Sequence, residues 1–211
     1  MSPGFQRDFW DGGPGSSKSF THPIRWDWLA DLATDVTVLD YGCGYGRSVT
    51  ELHARGYHDV IGVDPSAALI ARAREASPGI QFMVIADPPS LPEQVSRVDL
   101  TLVFAVLTCV PSDADQAALM DEVWRVTVPG GLVYVSDLLI EPDAGRYREL
   151  AESEYPYGTF RTEAGGLLRH HTADHLRRLV GGVSVQEAAE AVRTMNGGTA
   201  HAMQLLARKP V

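Results

Sequence analysis

Asp40, Gly42, Gly44 and Gly46 stand at alternate positions in the stretch VLDYGCGYGRS, directly after an apolar run. Glycines let a ligand come close to the main chain, and the carboxylate upstream of them meets that ligand with negative charge. A phosphate-cradling loop needs Gly-Lys-Ser/Thr at the helix start, but here Gly46 is followed by Arg47 and Ser48, with the wrong upstream spacing. A dinucleotide fingerprint needs G-x-G-x-x-G, and this loop runs G-x-G-x-G. The third reading is a ligand that carries an ammonium group and a ribose but no phosphate. Asp64 ends the next apolar run, DVIGVD, 22 residues after Gly42. That is the spacing at which an acidic residue reads a ribose from the end of a second strand.

The elements around these residues follow from punctuation and periodicity. VTVLD, DVIGVD, IQFMVIAD, VDLTLVFAVL and LVYVSDLL read as five buried strands, apolar along their length as strands covered on both faces are. Between them the spacing predicts a helix from Arg47 to Arg55 stopped by Gly56, a helix capped by Ser66, and a helix opened by Pro111 and Ser112. Pro23 is placed for the first turn of an earlier helix carrying Trp26, Trp28, Leu29 and Leu32. After the fifth strand the alternation breaks. GTFRTEAGGLLRHH reads as a hairpin, Thr172 caps a helix ended by Gly181 and Gly182, and VSVQEAAEAVRT and AHAMQLLARK finish as an antiparallel pair. The whole is a doubly wound α/β sheet in one domain over residues 1–211. Ligands in such sheets bind beyond the carboxyl ends of the strands, where Asp40 to Gly46, Asp64, Asp87 and Phe104 all fall.

Composition narrows the partners. The chain has 211 residues and a formal net charge of −9, with a pI of about 5.2, which disfavours a broad nucleic-acid footprint. Cys43 and Cys109, the two cysteines, read as reduced thiols in an α/β chain, with one buried disulfide as the alternative. No secretion signal and no membrane-spanning run is present in the sequence, and the expected location is the cytoplasm.

Taken together, the motifs resemble those of the class I S-adenosylmethionine-dependent methyltransferases, particularly the small-molecule type. VLDYGCGYG is similar to that family's Asp-x-Gly-x-Gly-x-Gly motif, VIGVDPS to its second, and IADPPSLP to its third. VDLTLVFAVL and WRVTVPGGLVYVSDLL resemble its fourth strand and the turn before the fifth, and AHAMQLLARKP its closing strand. The resemblance implies a mostly parallel seven-stranded sheet with an antiparallel C-terminal strand, and S-adenosyl-L-methionine as cofactor. It implies cofactor contacts from Asp40, Gly42, Cys43, Gly44, Gly46, Asp64, Pro65, Asp87 and Phe104, with Asp64 on the ribose hydroxyls and Asp87 facing the adenine amino group. Pro88 departs from the pattern: the family often offers a backbone N–H there, and proline has none. DPPS at 87–90 follows the third strand, not the fourth, so it is unrelated to the Asp-Pro-Pro-Tyr motif of amino-methylating nucleic-acid enzymes.

The acceptor side is expected from two segments. Residues 1–22 are rich in Gly and Ser yet carry Phe5, Phe9, Trp10 and Phe20, and read either as a loose terminus or as a lid that closes aromatic rings, Trp10 among them, over a ligand. Residues 141–171 read as an inserted cap, in which Tyr155, Tyr157 and Phe160 either wall the acceptor or pack the segment. His170 and His171 point to opposite faces of a strand. His170 is the preferred general base, because the face of His171 also carries Arg169, whose charge disfavours an imidazolium. His171 is then a substrate-side residue. No Cys/His/Asp cluster has metal-ligand spacing, so no metal is expected. The expected partner is a small-molecule acceptor methylated on O or N, with no nucleic acid and no membrane, and the chain a monomer or homodimer. The alternatives are a cofactor-binding regulator without turnover and a methyltransferase of RNA or protein.

Overall fold

A computed structural model describes residues 6–12, 22–142, 145–150, 155–194 and 197–211. The expectations for Phe5, Phe20 and most of the Gly/Ser-rich stretch between residues 13 and 21 lie outside the described residues.

Seven strands form one sheet in the order β3-β2-β1-β4-β5-β9-β8. They are β1 (Val38–Tyr41), β2 (Val60–Asp64), β3 (Gln81–Val84), β4 (Val98–Phe104), β5 (Thr127–Leu138), β8 (Val183–Arg193) and β9 (Thr199–Arg208). β1 to β5 run parallel, and β9 enters antiparallel between β5 and β8. The order reverses between β1 and β4, so the connections after them leave in opposite directions and open a crevice at that point. A separate two-stranded hairpin pairs β6 (Thr159–Arg161) with β7 (Leu167–Arg169) where the turn signal at Ala164–Gly166 predicts it.

Alternate residues of the central strands feed two cores. Leu39, Val63, Val103 and Val135 pack beneath α4 (Asp113–Val126) and α5 (Ala173–Val180), through Leu119, Val123 and Leu176. Val38, Leu100, Leu102 and Tyr134 pack beneath α2 (Arg47–Ala54) and α3 (Ala67–Ala76), through Leu52 and Ile70. Burial of a leucine or valine on either face contributes on the order of 1.5–3 kcal/mol. Three helices start where a hydroxyl caps them: the side chains of Ser66, Ser112 and Thr172 accept from the N–H groups of Leu69, Asp115 and His175.

Four boundaries differ from the sequence reading. The helix expected after Pro23 is only a 3₁₀ turn, Trp26–Leu29. Its side chains are claimed by other elements, since Trp26 donates to Glu51 on α2 (3.1 Å) and Trp28 packs on Tyr134 of β5. β3 is an edge strand with Gln81 and Val84 exposed, not one covered on both faces. β4 stops at Phe104 because Ala105 turns to φ +56°, a left-handed value costly for a residue with a Cβ. β5 begins already at Thr127, before the Pro-Gly-Gly segment, which it carries as an irregularity opposite Val98–Leu100.

Candidate active site

The carboxyl ends of β1, β2 and β4 open into a single cleft, a space of about 830 Å³ that includes open solvent. The loop after β1 forms its floor. Gly42 is tied to the Val63 carbonyl by its N–H (2.8 Å), and a Cβ there would lie 2.5 Å from Val106. Gly44, at φ +55°, has nothing within 4 Å of where its Cβ would be, so this is the point at which a ligand can lie against bare backbone.

Asp64 locks that loop. One carboxylate oxygen accepts from the Gly44 N–H (3.0 Å) and the other from the Ser66 N–H (2.8 Å). Each oxygen keeps a second lone pair, so the same group can also accept from two hydroxyls. Burial pushes its pKa up to about 6, against the pull of the Ser66 and Gly44 N–H groups.

Asp40 is buried at the end of β1 and lines the cleft, yet no hydrogen bond among the described residues reaches its carboxylate. Burial raises its pKa to about 7; Arg47 opposes the rise and Asp64 adds to it. Arg47 already acts on this acid, and a further cation delivered into the cleft would favour its ionised form.

Cys43 and Pro65 line the same cleft, and Phe104 closes its β4 side, edge-on to Tyr134. Both cysteines are free, and both reach the lining. Burial pushes their thiols well above the ordinary range, so neither is an activated nucleophile. Asp87 lies exposed beyond β3 and is not part of the lining. Just before it, Arg7 donates to the carbonyls of Ile85 (3.0 Å) and Ala86 (2.7 Å).

Trp10 is brought to the cleft by α1 (Arg7–Gly12), which lies across the ends of three elements. Asp11 accepts from the Ser66 hydroxyl (2.8 Å) and the Ala68 N–H (3.2 Å) at the start of α3. The Gln6 amide donates to Cys109 O and Leu167 O and accepts from the Leu167 N–H.

The cap residues sit elsewhere. His170 and His171 do not line the cleft. The Nδ1 of His170 is shared with the Tyr147 hydroxyl (2.8 Å), and its ring meets Phe160 edge-on. Burial lowers its pKa to about 4, and Arg146 adds to the effect. His171 is enclosed between Asp137 (3.7 Å) and the stacked ring of His175, with neither ring nitrogen hydrogen-bonded. Tyr157 is exposed, and neither it nor Tyr155 lines the cleft.

Several lining residues were missed by sequence reasoning, Arg47, Leu69, Val106 and Val110 among them, together with one histidine. His22 is buried, and its Nδ1 lies 2.8 Å from the Ser136 hydroxyl at the end of β5. It stands in a stretch with no periodicity, and only tertiary contacts bring it to the site.

Residues 38–131 match the family described as a methyltransferase domain. The sheet order and the cleft around this segment are those of the class I S-adenosylmethionine-dependent methyltransferase fold. Among solved structures it superposes on a SAM-dependent methyltransferase from Methanosarcina mazei (TM-score 0.80, 25% identity, 90% of this chain and 99% of that one). It shares its fold with the 1,6-didemethyltoxoflavin-N1-methyltransferase of Burkholderia thailandensis (TM-score 0.65, 21% identity, 98% of this chain and 83% of that one). Among curated proteins, the trans-aconitate 2-methyltransferase of Azoarcus sp. is 36% identical over 115 residues, 52% of this chain and 42% of that protein. The one from Methylobacterium nodulans is 38% identical over 124 residues, 57% of this chain and 46% of that protein. The matches thus span less than half the length of these curated relatives.

S-adenosylmethionine is the cofactor of this class, and the residues present fit it. The undonated carboxylate of Asp40 suits the ammonium, and the free lone pairs of Asp64 suit a pair of hydroxyls.

Proposed function

We propose that this chain transfers the methyl group of S-adenosylmethionine to an oxygen or nitrogen atom of a small-molecule acceptor. The observation that carries the reading is the buried, undonated carboxylate of Asp40 beside Asp64, two acids whose remaining valences match one cation and one diol. When bound, the cofactor supplies a methyl group on a sulfonium, and the C–S electron pair stays on sulfur as it leaves. The chain's part is placement. Asp40, Gly42, Cys43 and Gly44 hold the amino-acid end, Asp64 the ribose and Pro65 the adenine side, while Gly46, turned against Phe82, and the exposed Asp87 lie outside the lining. Phe104 and Trp10 bound the space in which the acceptor meets the methyl group. Holding reactants in line contributes about 7–11 kcal/mol to lowering such a barrier.

A small acceptor is supported by the net charge of −9 and by a lining in which Trp10, Leu69, Phe104, Val106 and Val110 predominate. The names of the curated relatives put trans-aconitate first among acceptors to try. His170 acts in this reading by fixing Tyr147 and Phe160 within the cap, and Tyr155, Tyr157 and His171 belong to the same supporting layer. The test is transfer of labelled methyl from S-adenosylmethionine to trans-aconitate, phenols and amines, with RNA and bulk protein alongside. Labelling of a small molecule alone is expected. Labelling of RNA or protein alone would overturn the acceptor class, and tight cofactor binding with no transfer to anything would favour a regulator.

A further inference from the structure

Of the seven histidines in the chain, His22 is the one in the lining of the cleft. His170 is engaged by Tyr147, His171 is sealed against Asp137, and His175 bonds Gln116 (2.8 Å). His53 and His58 pack on each other, and His201 is exposed on β9. His22 is anchored from two sides: Arg47 of α2 donates to its carbonyl oxygen, and Ser136 of β5 meets its Nδ1. Among the described residues nothing bonds its Nε2.

The sheet order says which part of the ligand this ring faces. Asp64 ends β2, and Ser136 lies near the end of β5, three strands away across β1 and β4. At roughly 4.8 Å per strand, that is about 14 Å. A ribose held at β2 and an amino-acid end held at β1 leave the β4/β5 side to the acceptor. We infer that His22 is the general base of this cleft, its Nε2 taking the proton from an acceptor O–H or N–H as the methyl group is transferred; the inference rests on the function proposed above. The acceptor's bonding pair stays on its oxygen or nitrogen and forms the new bond to carbon, and the proton leaves later from Nε2 to solvent.

The electrostatics set the resting form of the ring. Burial, with Arg47 adding to it, lowers the pKa of His22 to about 4, so the ring is neutral at pH 7 and its lone pair free. The Ser136 hydroxyl, 2.8 Å from Nδ1, can accept a hydrogen bond from a proton carried there, which leaves the lone pair on Nε2. Forming an imidazolium in a buried site is costly by itself. Here one positive charge disappears from the sulfonium as another appears on the ring, so the cleft carries the same charge before and after.

Two measurements test this. In protein labelled with ¹⁵N-histidine, S-adenosylhomocysteine is added at pH 7 and the signals of His22 are identified by their loss in His22→Asn. The expected result is a neutral ring protonated on Nδ1, with that preference lost in Ser136→Ala; a proton on Nε2, or an imidazolium, overturns the assignment. In the second, wild type and His22→Asn are compared on phenols of graded acidity. Turnover should fall roughly 10²–10⁴-fold for phenols still protonated at the assay pH and little for those already ionised. Affinity for S-adenosylhomocysteine should stay within about threefold, well under the tenfold that 1.4 kcal/mol represents. An equal loss across the series, or a loss that follows weakened cofactor binding, makes His22 a wall or cofactor residue and overturns the inference. If wild type methylates carboxylates such as trans-aconitate but no phenol or amine, there is no acceptor proton to remove, and the inference is overturned while the proposed function stands.

Discussion

Asp40 is the residue on which pH should act most visibly. Its pKa in the cofactor-free cleft is about 7, raised chiefly by burial, and a bound ammonium needs the ionised form. A group whose folded pKa lies above its unfolded value is more protonated when folded, so the folded protein gives up a proton when the cation binds. Affinity for S-adenosylhomocysteine should therefore fall as pH drops from 8 to 6, approaching about tenfold per unit below pH 7. Asp64, at about 6, extends the loss to lower pH. In Asp40→Asn the dependence between pH 8 and 7 should vanish and binding should be weak throughout. Calorimetry in buffers of different ionisation enthalpy reads both affinity and proton release; a wild-type affinity flat from pH 8 to 6 would mean that Asp40 does not meet the cation. These two acids were legible because their positions follow from short-range spacing. His22 was not, because neither its neighbours in sequence nor any periodicity points to Ser136, 114 positions away.

At the scale of elements, α1 with the preceding Gln6 behaves as a strap joining four separately coded pieces. It caps α3 through Asp11, touches the end of β3 through Arg7, and holds the β6–β7 hairpin and the loop after β4 through Gln6. Phe9 fills the space left by the missing side chain of Gly166, whose Cβ would lie 2.6 Å from the ring. We propose that this strap retains the cofactor. Three hydrogen bonds from the Gln6 amide, each contributing about 0.5–1.5 kcal/mol, hold it down. Gln6→Ala should raise the off-rate of S-adenosylhomocysteine about tenfold or more with little change in the on-rate, as read by stopped-flow displacement. An unchanged off-rate would make α1 a docked terminus only. Within the elements, caps and turns were readable: Ser66, Ser112, Thr172 and Gly165 all act where the sequence placed them. The helix after Pro23 was not, since Trp26 and Trp28 are drawn to Glu51 and Tyr134, and these tertiary contacts outweigh a helical stripe. The same holds for His170 and His171, which lie past the end of β7 and whose surroundings include Asp137 and Tyr147 from well upstream as well as the nearby Phe160 and His175.

Over the whole molecule, the alternation of strands and helices made the parallel part of the sheet and the closing antiparallel pair legible, but not the insertion of β9 between β5 and β8. What the alternation could not tell was which strand would lie at an edge; β3, apolar in sequence, is half exposed because nothing pairs beyond it. Among the described residues no helix is long and apolar enough to cross a membrane. The reversal of strand order between β1 and β4 makes the site, because it brings Asp40 and Asp64, coded 24 positions apart, against the loop after β4 and the segment before β1. The central claim is that this crevice reads a ribose through Asp64 and an ammonium through Asp40. Calorimetric titration of S-adenosylhomocysteine into wild type and Asp64→Ala tests it most directly, with unfolding midpoints measured on both because Asp64 also holds the Gly44 and Ser66 N–H groups. The account predicts a folded variant that binds about 2–3 kcal/mol more weakly, roughly 30- to 150-fold. A folded variant with wild-type affinity would contradict it.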